Sequence, residues 1–432
     1  MTPSEEEKLR LSRRRFLSCG FMAAAAAGLS AQGAPAVIDA MKQGDPAAPK
    51  DATEPFWGEH QGGILTPLQH NTYFAAFDLI ATDRDDVVKL LQDWTAAAAR
   101  MSVGQTAEPL ADDLTVPAAD SGDALGLSPA RLTITFGFGA GLFIKDGQDR
   151  YGLAAKRPAA LVDLPKFTGD QLVDARTGGD LSVQACADDP QVAFHAIRQL
   201  SRLAYDVAQL RWVQTGFTAN SNAKETPRNL MGFKDGTNNP GVNDPKLMNQ
   251  FIWVGDEGPD WMRGGSYMVM RRIRIALEHW DRMNVAFQEQ TVGRHKYSGA
   301  PLGGTNEFDK ADYDATDKDG NSIIPDNSHI RLAAAEKNDG AQILRRPYSY
   351  NDGANFTAER WPPWHQDMEF DAGLLFLCYQ RDPRTGFIKL FEKMSKFDMM
   401  NQFVTHTGGG LFACPGGVAK GGFIGERLFA QT

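Results

Sequence analysis

Apolar positions recur along the chain with two alternating periods, and the pattern runs twice. Residues 73 to 81 form an apolar run of strand length. From 83 to 101 the spacing changes. Val87, Leu91, Trp94, Ala98 and Met101 recur at intervals of three and four and predict one buried helix face. Residues 131 to 139 alternate strictly, with Leu132, Ile134, Phe136 and Phe138 on one side, which predicts a half-buried strand. A strand over 181 to 187 and a helix over 190 to 208 complete the first series. The second series opens with a strand over 267 to 275. A helix over 277 to 289 follows, with Trp280, Met283 and Phe287 on one face. A strand over 374 to 379 and a segment 384 to 394 that continues into a helix close it.

The stretches LSVQACADDPQVAFHAI and LLFLCYQRDPRTGFIKL are loosely alike: a strand, a Cys, then an Asp-Pro helix start. This predicts a duplicated, mostly antiparallel α+β unit of βαβ type. One irregular α+β domain is the alternative. The break falls in the polar stretch 218 to 228, which gives halves of 56 to 222 and 223 to 432.

Ahead of the first half lie two segments of different character. Residues 37 to 55 are rich in Pro, Ala, Asp and Lys and read as a flexible lead-in. Residues 1 to 36 have the charged, apolar and small-residue order of a signal peptide. Arg13, Arg14 and Arg15 stand directly before Phe16-Leu17, a run rich in Ala and Gly follows, and Ala34-Pro35-Ala36 resembles a cleavage site. The paired arginines match the twin-arginine signature, which implies export of a folded protein to the periplasm or an equivalent space. The run is too short and too weakly apolar for a stable membrane span. A basic helix start or an anchor is the other reading.

The charge balance narrows the partners. The whole chain carries -9, and the first 36 residues hold five of the 45 basic and three of the 54 acidic residues. That leaves 40 basic against 51 acidic residues, -11, which argues against a general affinity for nucleic acid or anionic lipid. The four cysteines are Cys19, in the leader, and the widely spaced Cys186, Cys378 and Cys414. They form neither a disulfide framework nor a C-x-x-C pair.

Three short features carry candidate chemistry. The first is Gly232-Phe233-Lys234-Asp235-Gly236-Thr237-Asn238-Asn239-Pro240. Glycines flank Asp235 and Asn-Asn-Pro follows, so neither helix nor central strand continues. A tight loop presents one carboxylate, and the glycines let backbone approach a flat ligand. On spacing alone it is equally an Asx-type turn. The second is Asn327-Ser328-His329-Ile330-Arg331-Leu332. A neutral imidazole ligates iron readily, and Arg331 stands close enough to meet an anionic group on the same ligand. A structural histidine is the plain alternative. The third is Leu344-Arg345-Arg346-Pro347-Tyr348-Ser349-Tyr350. Two adjacent arginines suit a solvated face, but one turned inward needs an anion.

Together these features resemble the dye-decolorising (DyP-type) peroxidase family. Its Gly-x-x-Asp-Gly signature corresponds to Gly232 to Gly236, its haem-binding histidine to His329, and its distal arginine to Arg345. The blocks QTVGRHKYSGAPL and MGFKDGTNNP look like the twin-arginine-exported subgroup, which includes the periplasmic deferrochelatase/peroxidase of ferrous-iron uptake systems. The likeness runs from about residue 60 to the C-terminus.

The resemblance implies two ferredoxin-like α+β halves of the dimeric α/β-barrel type, with non-covalent haem b in the second half. His329 would be the proximal iron ligand. Asp235 and Arg345 would lie on the opposite face, the first moving a proton between the peroxide oxygens, the second stabilising charge on the departing one. Gly236, Thr237 and Arg331 would contact the cofactor, Arg331 through a propionate. Asp398 would back the histidine, with Glu392 as its rival. Some relatives carry Asn two residues after the distal arginine, where this chain has Pro347.

The implied activity is reduction of hydrogen peroxide with bulky phenolic or dye-like donors. Electrons would then pass from surface residues such as Trp361, Trp364 or Tyr348. Iron removal from haem with the porphyrin intact is the first alternative, and a non-catalytic haem carrier the second. The partners implied are the twin-arginine translocase, other components of a ferrous-iron uptake system, and a second copy in a homodimer. The acidic stretch 312 to 326 aligns Asp317, Asp319 and Gly320 with a calcium loop. Ala315 and Asp326 fill its first and last ligand positions, so it reads as a solvated loop.

Overall fold

Backbone pairing sorts eight of the nine strands among the described residues into two sets of four with the same internal order, and leaves a two-residue strand beside the second set. In chain order the first set is β1 (Asn71–Leu79), helix α1 (Arg84–Met101), β2 (Thr133–Phe138), β3 (Leu181–Ala187), helix α2 (Pro190–Leu203) and β4 (Ala208–Phe217). The second set is β5 (Ser266–Ile275), helices α3 (Leu277–Trp280), α4 (Val285–Val292) and α5 (His329–Ala333), β6 (Leu344–Arg345), β7 (Tyr348–Asn355), β8 (Glu369–Gln380), helix α6 (Phe387–Phe397) and β9 (Val404–Cys414). The computed structural model describes residues 52–110, 112–113, 115–219, 226–355 and 369–430. The leader, nearly all of the lead-in, the centre of the 218 to 228 break, Trp361 and Trp364 lie outside the described residues.

The sheet order is β5-β9-β2-β3-β1-β4-β7-β8, and β8 also pairs with β5, so eight antiparallel strands close into a ring. Within each half the fourth strand flanks the first, then the third, then the second. This is the ferredoxin-like arrangement, present twice. The halves meet at two thin seams, where Phe138 pairs with Ala413 and Phe217 with Ser349. Closure removes free sheet edges. Pro347 lacks the N–H that would continue the ladder, so β6 and β7 are separate strands along the same side of β8.

Local chemistry sets most element ends. Asp83 caps α1 by accepting from the Asp85 amide, and Asp189 caps α2 by accepting from Gln191 and Val192, with Pro190 in the first turn. Trp94 Nε1 donates to the Leu200 carbonyl at 2.8 Å and ties α1 to α2.

Four expectations change. The strand around 131 to 139 is buried on both faces. Its Leu132, Ile134, Phe136 and Phe138 pack outward under the helices, while Thr133 and Thr135 turn into the ring. There Thr135 Oγ1 donates to the Gly62 carbonyl at 2.6 Å, which makes a buried polar face tolerable. The single helix expected over 277 to 289 is two. Asn284 accepts from the Phe287 amide at 2.9 Å and starts a new helix there. The second Asp-Pro does not start a helix either, since α6 begins at Phe387. Finally, β4, β7 and β9 were not expected. All three are rich in Gly or polar residues and lack a clean period-two signal.

Three apolar clusters follow from this layout. One lies under the helices of the first half and continues past the seam to Tyr267, Cys378 and Phe387, one fills the ring, and the third covers part of the outer face of the second half. That third cluster, with Phe233, Trp280, Val292 and Phe403, supports the candidate site. Among the described residues no helix is long and apolar enough to cross a membrane.

Candidate active site

The segment around Asp235 is a loop made of turns. Gly232 and Gly236 adopt φ of +84° and +118°, which L side chains rarely take. The Asn229 side chain accepts from the amides of Met231 and Phe233 at 3.1 and 3.3 Å, and Asp235 N donates to the Pro227 carbonyl at 2.9 Å. Neighbours brace the loop further. The Lys234 ammonium pairs with Glu307, and Thr237 Oγ1 donates to Glu307 Oε1 at 3.0 Å. Burial works against the Glu307 anion, but its bonds to Lys234, Thr226 and Thr237 outweigh this and hold its carboxyl below the usual range.

Arg345 arrives from β6. Its Nη1 donates to Asp235 Oδ1 at 2.7 Å, and the two side chains are 24% and 15% exposed. This leaves Asp235 Oδ2 without a protein partner among the described residues. The backbone is fixed as well. Asn239 Nδ2 donates to the Arg345 carbonyl at 2.8 Å, and Arg345 N donates to Asn239 Oδ1 at 3.1 Å. One carboxamide thus pairs with both polar groups of a strand residue and sets the loop against the guanidinium.

The adjacent arginines part company because side chains alternate along a strand. Arg345 lies opposite Cys378, on the outer face of β8. The Arg346 amide donates to the Leu377 carbonyl at 2.8 Å, and its side chain turns into the ring.

His329 is the first residue of α5. Its Nδ1 bonds Asp398 Oδ2 at 2.7 Å. The other carboxylate oxygen, Oδ1, accepts from the Met400 amide at 2.9 Å, so Asp398 is itself locked in place. The Asp398 side chain is 3% exposed, whereas that of His329 is 33% exposed. The imidazole therefore keeps open surface, and Nε2 is its nitrogen without a protein partner among the described residues. Burial disfavours the imidazolium, but the Asp398 carboxylate outweighs this and raises His329 above the ordinary value. Arg345 and Asp235 also act on the ring, the first lowering and the second raising it, so all three side chains share one electrostatic neighbourhood.

The remaining expected residues divide. Glu392 is exposed, and the acid that meets His329 is Asp398. Arg331 donates to the Ile324 carbonyl at 2.9 Å and pairs with Asp326 at 2.8 Å. The Thr237 hydroxyl is committed to Glu307. Tyr348 is not a surface residue. It is 1% exposed and sits inside the ring, which corrects its reading as a surface electron donor. Asn239, Lys234 and Glu307 were missed. The first two stand in the quoted MGFKDGTNNP run, but nothing in the sequence shows which of Asn238 and Asn239 turns to Arg345. Glu307 has no local signal at all. In the acidic stretch, Asp317 accepts from the amides of Asp319 and Asn321 at 2.8 and 2.9 Å, within its own turn.

Which group would this arrangement fit? A single imidazole with a free Nε2 and an anionic partner on Nδ1 suits an axial iron ligand. An ion-paired carboxylate with one free oxygen, close enough for its charge to act on the same imidazole, suits proton transfer. The residues fit a haem.

Comparison with known proteins agrees. Residues 61–218 match the N-terminal and 226–419 the C-terminal model of the Dyp-type peroxidase family. A dye-decolorizing peroxidase of Thermobifida fusca is 36% identical, over 99% of both chains. A deferrochelatase of Escherichia coli O157:H7 is 37% identical, over 96% of both. The crystal structure of a DyP-type peroxidase from Streptomyces coelicolor superposes with a TM-score of 0.80 at 39% identity, covering 89% of this chain and 100% of that one. The chain belongs to the Dyp-type peroxidase family.

Proposed function

We propose that this protein is a haem-dependent peroxidase that reduces hydrogen peroxide and oxidises bulky phenolic or dye-like donors. The observation that carries the reading is the shared neighbourhood of His329, backed by Asp398, and the Asp235–Arg345 pair. His329 Nε2 would hold haem b, the non-covalent form, since no C-x-x-C-H run is present for thioether links. Bound haem supplies the iron on which peroxide sits and the electrons that cleave its O–O bond.

The chain's own residues do the rest. Asp235 Oδ2, the oxygen Arg345 leaves free, takes a proton from one peroxide oxygen and returns it to the other. Arg345, a permanent cation, stabilises charge on the departing oxygen. Asp398 accepts from Nδ1, fixes the tautomer and makes the imidazole a stronger donor. Arg331 and the backbone around Gly236 and Thr237 would contact the haem, Arg331 by exchanging Asp326 for a propionate.

Iron release from haem is the second reading, favoured by the relatives named deferrochelatase. A passive carrier is disfavoured, because it has no use for an acid–arginine pair over the metal. The leader adds export by the twin-arginine translocase to the periplasm, and the resemblance to the exported subgroup adds a place beside a ferrous-iron uptake system.

The test is optical. Haem-loaded protein should show a Soret band that changes rapidly on adding peroxide and then oxidises a dye. A Soret band indifferent to peroxide would sink the enzyme reading. Metal-free porphyrin formed from added haem would favour iron release.

A further inference from the structure

The ring interior holds a charge that the peroxidase reading does not use. Arg271, Arg272 and Arg346 are all buried. Arg271 pairs with Asp170, and Arg272 with Asp352 and Asp371. Arg346 is 5% exposed, and its partners are neutral. Its Nη2 donates to Gln69 Oε1 at 2.9 Å and its Nη1 to the Thr66 carbonyl. Among the described residues no carboxylate pairs with it. A guanidinium does not lose its proton, so the charge stays, and a buried charge without a counter-charge is costly.

Three polar groups converge on one sulfur near it. The Arg346 Nε–H and the Tyr348 hydroxyl, both sealed from solvent, have no oxygen or nitrogen partner. Both reach the Cys186 sulfur, and Thr72 Oγ1 lies 3.3 Å from it. Strand alternation explains the meeting. Arg346 and Tyr348 face inward beside β8, and Cys186 faces inward from β3. A neutral thiol satisfies Thr72, but its sulfur is a weak acceptor and leaves the guanidinium unbalanced. A thiolate accepts from the guanidinium, the phenol and the threonine together and supplies the missing charge. The extra donors matter, because a buried ion pair recovers its desolvation cost only when its remaining lone pairs are bonded.

The other acids in the ring are poorer counter-charges. Burial pushes the Tyr348 and Tyr379 phenols well above the ordinary value, and the Tyr379 hydroxyl is spent on Gln184 Oε1 at 2.6 Å. A thiol ionises more readily than a phenol even in water, at ~8.5 against ~10. Cys378 and Cys414 are controls. Burial pushes both thiols up, Cys378 to about 12, so both stay protonated.

We propose that Cys186 is a thiolate that neutralises Arg346 inside the ring, and that this ion pair positions Arg345. Arg346 belongs to the second half, whereas Cys186, Gln69 and Thr66 belong to the first, so the pair ties the two-residue strand β6 across the barrel. Asn239 holds the Arg345 backbone, and the tie one residue further on holds the same strand from inside. The ion pair stands on the ring alone, and its effect on peroxide chemistry rests on the proposed function.

Infrared difference spectra of the haem-loaded protein in the S–H stretching region read each cysteine separately. Wild type minus Cys378→Ser, and wild type minus Cys414→Ser, should each show one S–H band. Wild type minus Cys186→Ser should show none, and a band there would overturn the proposal. Should Cys186→Ser fail to fold, the double variant Cys378→Ser/Cys414→Ser leaves Cys186 as the one buried cysteine among the described residues. It should show no S–H band that resists deuterium exchange, and such a band would overturn the proposal equally. Cys186→Asp restores the charge in a similar volume and should keep the wild-type Tm and the wild-type rate of Soret change with peroxide. Cys186→Ser should lose about 5 °C in Tm and on the order of tenfold in that rate, with haem retained. Wild-type Tm and rate in Cys186→Ser would refute the positioning role. Protein inert to peroxide, yet without a Cys186 S–H band, would sink the peroxidase reading and leave the ion pair standing.

Discussion

Asp398→Asn separates a backed histidine from one that merely sits nearby. The carboxylate has two acceptor oxygens and uses both, one on His329 Nδ1 at 2.7 Å and one on the Met400 amide at 2.9 Å. Asparagine has the same shape but one acceptor and one NH2 group. Either the imidazole N–H or the Met400 N–H must then face another donor. The side chain is 3% exposed, so water screens little of the loss. Removing a charge-assisted bond at such a site costs ~1.5–3 kcal/mol. On a metal ligand the same loss appears as ~10–100-fold in affinity or activity. If the loss falls on the ferric state alone, the one-electron potential rises by ~60–120 mV. The assay is a haem titration of the apoprotein followed at the Soret band, paired with a potentiometric titration of the loaded protein. Glu392→Gln, at an exposed position, should change neither. If Asp398→Asn binds haem with wild-type affinity and potential, the bond to Nδ1 does not tune the iron and the reasoning fails.

Further outcomes follow from the same geometry. Asp235→Asn should retain haem and lose peroxide turnover by ~10²–10⁴-fold, and Arg345→Leu by ~10²–10³-fold, in stopped-flow traces of the Soret band; full rates in both would exclude the distal assignment. Asn239→Ala leaves both backbone groups of Arg345 short of a partner, so turnover should drop about tenfold with haem retained, alongside ~1–3 kcal/mol of stability read from urea unfolding. In the apoprotein the Asp398 carboxylate raises His329 despite burial, so the pair stabilises the fold below the unfolded value of about 6.5, and that contribution fades as pH rises through the raised folded value. Iron must displace the proton on Nε2. Calorimetry in buffers of different ionisation enthalpy should therefore show proton release on haem loading at pH ~6, with affinity rising with pH; loading without proton release would contradict the assignment.

Much of the fold could be read from the sequence, because its regular parts carry strong periodic signals. The 83 to 101 helix declares itself through Trp94 and its neighbours, and β5 through the apolar stretch 267 to 270 with Ile273 and Ile275 beyond it. What stayed hidden has physical causes. The strands β4, β7 and β9 face the ring interior with Gly, Gln, Thr and Tyr, so polar residues are buried there and erase the alternation that marks a strand. The ends of the 277 to 289 segment looked like one helix because Asn284 caps a second one without disturbing the apolar face. The site was legible residue by residue through the family's motif, which singled out Asp235, His329 and Arg345. The contacts that orient them were not, because Asn239 and Glu307 act across 106 and 70 residues of chain. Arg346 shows the limit most sharply. Nothing local reveals that it faces the opposite way from Arg345.

The central claim is that His329 and the Asp235–Arg345 pair address opposite faces of one haem. The direct measurement is the iron position, located by anomalous diffraction from a crystal of the haem-loaded protein. Iron bonded to His329 Nε2, with the carboxylate and guanidinium across the ring from it, is the predicted result. Iron held by any other residue, or a macrocycle that leaves Asp235 and Arg345 on the histidine side, would contradict it.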